Sequence, residues 1–349
     1  MPGVRVAIDA MGGDHGPRVV VPGAMRALQR LPADTALVLL GDEARVRAAL
    51  PASVPARVSI VHAPDEISMH ESPATAVRRK PASSLARGLD LVAKGDAEAF
   101  LSAGSTGAVV AGALLGLGRI GKLQRPAIAT LFPTDRAHCV LVDVGANSDC
   151  KPLHLVQFAA MGAVYAHIHL GLARPRVGLL NIGEEDSKGN ELAVATHGLL
   201  RTSGLHFVGN VEGRDVLAGR ADVVVCDGFV GNVLLKFGES MLRFLTRQMR
   251  EELHRSMRAK LGALLLRPAF ESMRRRIDYT EAGGAPLLGV RRTVVIAHGK
   301  SPERAIENAV LLSAKLAAND LPGQIATRLQ EVGTHLPDVG REPRPSGRA

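Results

Sequence analysis

Along the chain, short apolar runs alternate with longer stretches in which apolar residues return every three or four positions. Ten runs have strand length: "VRVAIDA", "ALVLLG", "RVSIVHA", "AEAFLSAG", "AIATLFP", "CVLVDVGAN", "RVGLLNIGEE", "LHFVGNVEG", "ADVVVCDGF" and "RTVVIAHG". Most are apolar in succession rather than at alternate positions, which suits strands covered on both faces. Helix-like stretches separate several of them. One, "PLHLVQFAAMGAVYAHIHLG", closes on Gly171, a residue suited to a helix end. The pattern predicts an α/β fold, a mostly parallel sheet sandwiched by helices. A chain of 349 residues exceeds the usual single core, so one α/β unit over 1–335 is expected, divided into two lobes with a cleft.

The runs also end alike, in glycine with small polar or charged residues: "DAMGGD", "SAGSTGA", "DVGANSD", "NIGEEDSKG", "GNVEG", "CDGFVGN" and "AHG". Parallel sheets bind ligands at the carboxyl ends of their strands. These seven ends are therefore expected to converge on one rim. In "SAGSTGA", Ser102, Ser105 and Thr106 supply hydroxyls just where a helix start offers free N–H groups, a combination that favours phosphate. An ordinary βα turn with a Ser/Thr cap carries the same pattern. It is neither a GK[ST] loop nor a GxGxxG fingerprint. "DAMGGDHGP" sets Asp9, Asp14 and His15 at a strand end, and "DVGANSDCKP" sets Asp143 and Asn147 on a tight turn. "DGFVGN" offers Asp227 and Asn232, with Lys236 one turn into the next helix. Asp and Asn are common turn formers, so it is their recurrence at successive strand ends that suggests a site. In "NIGEEDSKG", Glu184, Glu185 and Asp186 precede Lys188. A lysine there can hold phosphate or polarise a carbonyl, with the carboxylates fixing its geometry; solvated ion pairs of little worth are the alternative.

Other chemistries are not legible. The chain has no GxSxG elbow, no HExxH and no self-evident Ser/His/Asp set. His167 and His169 lie two apart in a helical stretch and point away from each other. Cys139, Cys150 and Cys226 lack ligand spacing and read as core or turn residues of a protein from a reducing cytosol, with no metal expected. "MPGVRVAIDAMGGD" reaches an aspartate too early for a signal peptide. The uncharged span Ala99 to Gly118 reads as strand, loop and helix, since about 11 residues after the loop fall short of the roughly 20 that cross a bilayer.

Charge adds one feature. The chain has 43 Lys/Arg against 34 Asp/Glu, a net charge of +9. Eleven Lys/Arg against four Glu between Lys236 and Arg276 put +7 into that segment alone. There Met241, Leu245, Met249, Leu253 and Met257 repeat four apart until Pro268 breaks the run. A basic amphipathic helical segment over 236–276 is expected, facing a core or dimer interface, an anionic lipid surface or an acidic partner. Aromatics make up 3% with no Trp, so base stacking has no platform and nucleic acid is not expected as a partner. The Pro/Gly/Arg-rich tail over 337–349 is expected to be disordered.

The motifs "AIDAMGGDHGP", "KPASSLARGLDLVAKGDAEAFLSAGSTGA", "DVGAN", "LLNIGEEDSKGNE", "FVGNVEGRD", "DVVVCDGFVGN" and "AHGKS", in this order, resemble the bacterial phosphate acyltransferase family over about Val4 to Leu321. The resemblance implies a cytoplasmic enzyme, peripherally associated with the membrane and homodimeric. Its fold would be that of phosphotransacetylases and isocitrate/isopropylmalate dehydrogenase-like proteins. It would convert acyl carrier protein thioester and inorganic phosphate to acyl phosphate, upstream of a glycerol-3-phosphate acyltransferase in phospholipid synthesis. No cofactor and no metal are implied. Phosphate is itself the nucleophile, so such an enzyme needs an anion site and oxyanion donors rather than a triad. Ser102, Ser105 and Thr106 would surround phosphate, and Lys188 would touch phosphate or the thioester oxygen. Asn147 and Asn232 would donate to the oxyanion. Asp14, His15, Asp143, Glu184 and Asp227 would order the site or move protons. Arg243, Arg247, Arg250 and Arg255 would meet the membrane or the carrier protein. The family pattern has Asn where this chain has Ser105. A phosphotransacetylase-like enzyme using acyl-coenzyme A is the alternative.

Overall fold

The computed structural model describes residues 3–68, 70–277 and 283–336; the tail expected to be disordered, 337–349, lies outside them. The strands are β1 (Arg5–Asp9), β2 (Ala36–Gly41), β3 (Val58–His62), β4 (Ala99–Ser102), β5 (Ala127–Pro133), β6 (His138–Val142), β7 (Val177–Leu180), β8 (Phe207–Val211), β9 (Val223–Val225), β10 (Ala285–Leu288) and β11 (Thr293–Ile296). The helices are α1 (Pro17–Arg30), α2 (Glu43–Ala49), α3 (Pro73–Arg79), α4 (Ser84–Lys94), α5 (Thr106–Gly116), α6 (Pro152–Leu170), α7 (Glu191–Thr202), α8 (Gly213–Ala218), α9 (Gly228–His254), α10 (Met257–Ile277), α11 (Glu303–Ala318) and α12 (Leu321–His335). All ten apolar runs form strands. β10, "APLL" between glycines, is too short and too proline-broken to stand out.

The strands form one sheet in the order β3-β2-β1-β4-β11-β10-β5-β6-β9-β7-β8. Successive residues of each strand enter opposite cores: Val6 and Ile8 face one, Ala7 the other; Ala99 and Leu101 face one, Phe100 the other. One core is closed by α1, α6, α11 and α12, the second by α4 and α5. This explains the unbroken apolar runs. Each fully buried Leu, Ile or Phe contributes about 1.5–3 kcal/mol, so losing either helical layer would expose several such side chains. The uncharged span resolves into β4, a loop and α5, as expected. Among the described residues no helix is long and apolar enough to cross a membrane.

One expectation fails. Pairing is parallel from β3 through β11 and again from β6 through β8, but antiparallel at β11/β10, β10/β5 and β5/β6. Three reversals leave β6, β9, β7 and β8 running opposite to β1, β4 and β11. The seven polar ends therefore form two groups, one for each direction. β10, which the apolar pattern did not reveal, is one of the strands that makes the reversal.

Candidate functional site

The first group of loops is knitted around Asp9, at the buried end of β1. Its Oδ1 accepts from the N–H groups of Met11 and Gly12, both at 3.1 Å, and its Oδ2 from the Ser102 hydroxyl at 2.7 Å. Ser102 Oγ in turn accepts from Gly104 N at 3.0 Å. Burial pushes the Asp9 carboxyl up, while the hydroxyls of Ser84 and Ser102 and the two N–H groups pull it back. Ser102 is thus spent inside the core, ordering the β1 and β4 turns. Ser105 and Thr106 stand further out at the start of α5, where the Ser105 hydroxyl makes no capping bond. Asp14 and His15 are exposed, and Asp14 N donates to Gly299 O at 2.8 Å, tying the β1 loop to the β11 loop. A cavity of about 940 Å³ opens here, lined by Asp14, His15, Arg18, Arg45 and Glu66 above Met11, Val19 and Pro22.

The second group is built on Asp143, which is wholly buried at the end of β6. Its Oδ1 accepts from Ile128 N, Gly145 N and Ala146 N at 3.0, 3.2 and 3.0 Å. Its Oδ2 accepts from Asn147 N and Asn147 Nδ2, both at 2.8 Å. Burial raises the Asp143 carboxyl; its Ala146, Asn147 and Ile128 donors oppose this. Asn147 gives its second amide hydrogen to Pro126 O at 2.7 Å, so both its amide hydrogens are used within the protein. Its carbonyl accepts from Gly228 N at 2.7 Å, which seats the start of α9 on the β6 turn. Asp227 caps α9, Oδ1 accepting from Phe229 N and Val230 N at 3.0 Å. The approach is tight: a Cβ on Gly231 would stand 1.9 Å from the Asp143 carbonyl oxygen. Asn232, one turn along, is exposed beside Gly145. Cys150 is half-buried near this turn and burial pushes its thiol up to about 11, far from a nucleophile's range.

Lys188 lies on the same rim, after β7. Two of the three carboxylates expected to set its geometry are engaged elsewhere. Glu184 pairs with Arg220 at 2.9 Å and Arg214 at 3.7 Å; Asp186 pairs with His197 at 3.3 Å and Arg201 at 3.6 Å. The Lys188 stem lies over Gly183, where a Cβ would meet the lysine Cγ at 2.9 Å. Its ammonium is exposed and, among the described residues, has no carboxylate within ion-pairing range. The burst of acids around one lysine thus has a local cause. Glu184 and Asp186 belong to arginines and a histidine from α7, α8 and the turn after α8, and the lysine is left over.

Charges on α9 reach the first group. Burial lowers the His298 imidazole, on the β11 loop, and the charges of Lys236 and Lys300 add to this, while Glu239 and Asp14 oppose it. Lys236 and Glu239 form an ion pair at 3.1 Å on the third and fourth turns of α9. Charges of the second group's helix and of the β1 loop therefore bear on one imidazole. The sequence offered His298 only inside "AHGKS", with no spacing to mark it; the same is true of Asp9 as the organiser of the first group. Among the described residues no cluster of three His, Cys, Asp or Glu is arranged to hold a metal.

The 236–276 segment is helical but divided. α9 ends at His254 and α10 begins at Met257, so the break falls at Arg255 and Ser256, and Pro268 sits inside α10. Met241, Leu245, Met249 and Met257 are 39–79% exposed, so this stripe does not belong to the core of a single chain. Arg243, Arg247 and Arg250 are exposed on α9; Arg247 stacks over Phe244, and Arg255 pairs with Glu252 at 2.8 Å.

The fold is that of phosphotransacetylases. The phosphotransacetylase of Streptococcus pyogenes superposes with a TM-score of 0.61 at 18% identity, over 91% of this chain and 94% of that one. The EutD phosphotransacetylase of Staphylococcus aureus gives 0.60 at 16%, over 90% and 94%. The sequence then narrows the class: the chain belongs to the fatty acid synthesis protein family, which it matches over residues 4–324, and is an enzyme of the phosphate acyltransferase family. The phosphate acyltransferase of Heliobacterium modesticaldum is 50% identical over 96% of this chain and 98% of its own length. That of Nostoc sp. is 46% identical over 94% and 96%.

Proposed function

We propose that the enzyme moves a fatty acyl group from acyl carrier protein to inorganic phosphate, giving acyl phosphate for phospholipid synthesis. A phosphate oxygen attacks the thioester carbonyl directly. The C–O bond forms, the C–S bond breaks, and the carrier thiolate leaves and takes up a proton. The observation that carries this is the Lys188 ammonium, outside ion-pairing range of any described carboxylate on a rim where four parallel strands end, while Glu184 and Asp186 beside it are neutralised by other cations. An unpaired ammonium is matched to an anion or a developing oxyanion.

Lys188 binds phosphate or the thioester oxygen. Ser105, Thr106 and the first amides of α5 supply further phosphate donors, and the exposed amide of Asn232 donates to the oxyanion. Asn147, with both amide hydrogens committed, serves with Asp143 and Asp227 to hold the start of α9, and Ser102 serves with Asp9 to hold the β4 turn. Asp14, His15 and Glu184 order the rims. The two strand groups act as two lobes facing across the site, a view supported by α9 charges that bear on His298 of the opposite group. The exposed stripe of α9 and the apolar residues Leu261, Leu264 and Leu265 of α10 serve a homodimer and a peripheral, cytoplasmic attachment to anionic membrane, where a glycerol-3-phosphate acyltransferase consumes the product. Arg243, Arg247, Arg250 and Arg255 meet lipid or the acidic carrier protein.

The test is to incubate purified protein with labelled phosphate and either palmitoyl-carrier protein or palmitoyl-coenzyme A, trapping acyl phosphate with hydroxylamine. Product from the carrier thioester well above that from the coenzyme A thioester is expected. Faster turnover of coenzyme A thioester would establish the phosphotransacetylase-like alternative, and no product from either would end the proposal.

A further inference from the structure

Neither asparagine beside the Lys188 loop, Asn181 or Asn210, has a role so far, yet both hold its backbone. Asn181 ends the β7 run; its Nδ2 donates to Lys188 O at 2.9 Å, and its Oδ1 accepts from Ile182 N at 2.8 Å. Asn210 lies on β8, in register with Leu179, and is 1% exposed. Its Nδ2 donates to Glu185 O at 2.8 Å, the same carbonyl that accepts from Lys188 N at 3.0 Å. The two amides thus grip Glu185 and Lys188, the two ends of the turn that presents the ammonium.

Asn210 shows what the grip requires. Its Oδ1 is buried with no partner, so the side chain is kept although half of its polar capacity goes unused. An apolar residue would avoid burying that orphan oxygen. The donor is what the site gains. The rest of the loop has little other hold: residues 184–190 are all exposed, and apart from Asp186 on the buried His197 its ion pairs, to Arg201, Arg214 and Arg220, are surface pairs that add little rigidity. A lysine with a long flexible stem acts as a placed charge only if its Cα is fixed.

We infer that Asn181 and Asn210 are positioning residues for acyl transfer, fixing the Glu185–Lys188 turn so that the Lys188 ammonium reaches the reacting phosphate or carbonyl. The inference rests on the proposed role of Lys188, and a double-mutant cycle separates the two. Asn210→Ala and Asn181→Ala are each measured in wild-type and Lys188→Ala backgrounds, for kcat and for the phosphate KM. Each single asparagine variant should lose about ten- to a hundredfold in kcat/KM for phosphate, and that loss should vanish when Lys188 is already alanine. A purely structural role would lower thermal stability equally in both backgrounds without this coupling. Additive losses, or unchanged kinetics in both asparagine variants, would overturn the inference while leaving Lys188 in place. A near-normal rate for Lys188→Ala would overturn the role of Lys188 and the inference with it. Asn181, only partly buried, keeps the test decisive if Asn210→Ala fails to fold.

Discussion

Replacing Asp143 by asparagine probes the most heavily bonded side chain of the site with almost no change of shape. Five N–H groups converge on the carboxylate, three on Oδ1 and two on Oδ2. Asparagine keeps one acceptor oxygen. In its better orientation the oxygen serves Ile128, Gly145 and Ala146, and the new NH2 then faces the two donors of Asn147. Two buried hydrogen bonds are lost and donors oppose donors, at about 1–3 kcal/mol for each group left unsatisfied. The structure therefore predicts that Asp143→Asn costs about 3–5 kcal/mol, or about 4–7 °C in Tm for a chain of this size. Because the Asn147 carbonyl also seats Gly228, the start of α9 should shift and the acyl transfer rate should fall at least about tenfold. Thermal and urea unfolding, with acyl phosphate formation measured on the same preparation, give both numbers. A stability loss under about 1 kcal/mol with an unchanged rate would refute the claim that this carboxylate organises the turn.

Three further outcomes follow from other parts of the molecule. Gly231→Ala drives a methyl group into the Asp143 carbonyl oxygen and should cost about 3 kcal/mol; a Tm within a degree of wild type would show that α9 has room to retreat. The His169 imidazole, stacked on Tyr165, is pushed down to about 4, chiefly by burial and then by Lys315 and His138. The unfolded chain takes up this proton near pH 6.5 and the native state refuses it until about 4, so stability is full above that upper value and falls as pH drops through the window. His169→Phe should remove about 2–3 kcal/mol of the loss between pH 7.5 and 4.5, read from urea midpoints; equal losses in the two proteins would refute it. Flotation with anionic vesicles should occur at low salt and be abolished by high salt or by Leu264→Glu with Leu265→Glu, and flotation indifferent to both would end the proposed membrane role of α10.

The sheet was legible because strands buried on both faces are apolar in succession, as most of the ten runs are; the edge strands β3 and β8, with Ser59 and Asn210, are less so. β10 was not legible: four residues with a proline, flanked by glycines, carry no periodic signal. Missing it hid the reversal of direction, and with it the division of the polar ends into two groups. Candidate site residues were suggested where glycine-rich turns ended apolar runs, as at Asn147, Lys188 and Asp227. What those turns do internally was not. Asn147 and Ser102 look like donors to substrate in the sequence, but their hydrogens go to Asp143, Pro126 and Asp9, partners that tertiary contact alone supplies. His298 and Asn210 carry no local mark, since an imidazole amid charges from α9 and two loops and a strand amide reaching one strand over exist only after folding. The helical segment was foreseen from its four-residue repeat. Pro268 misled as to its break, because the proline sits within α10 while the chain parts at Arg255 and Ser256.

Exchange between carrier proteins in the absence of phosphate tests direct attack most simply. Palmitoyl-carrier protein and labelled free carrier protein are incubated with the enzyme, and label in the acylated pool is followed by gel and mass spectrometry. With phosphate as the only nucleophile, no label should enter the acylated pool and no enzyme side chain should carry the acyl group, whereas adding phosphate should discharge the thioester at once. Phosphate-free exchange, with a palmitoylated residue on the enzyme, would contradict the account.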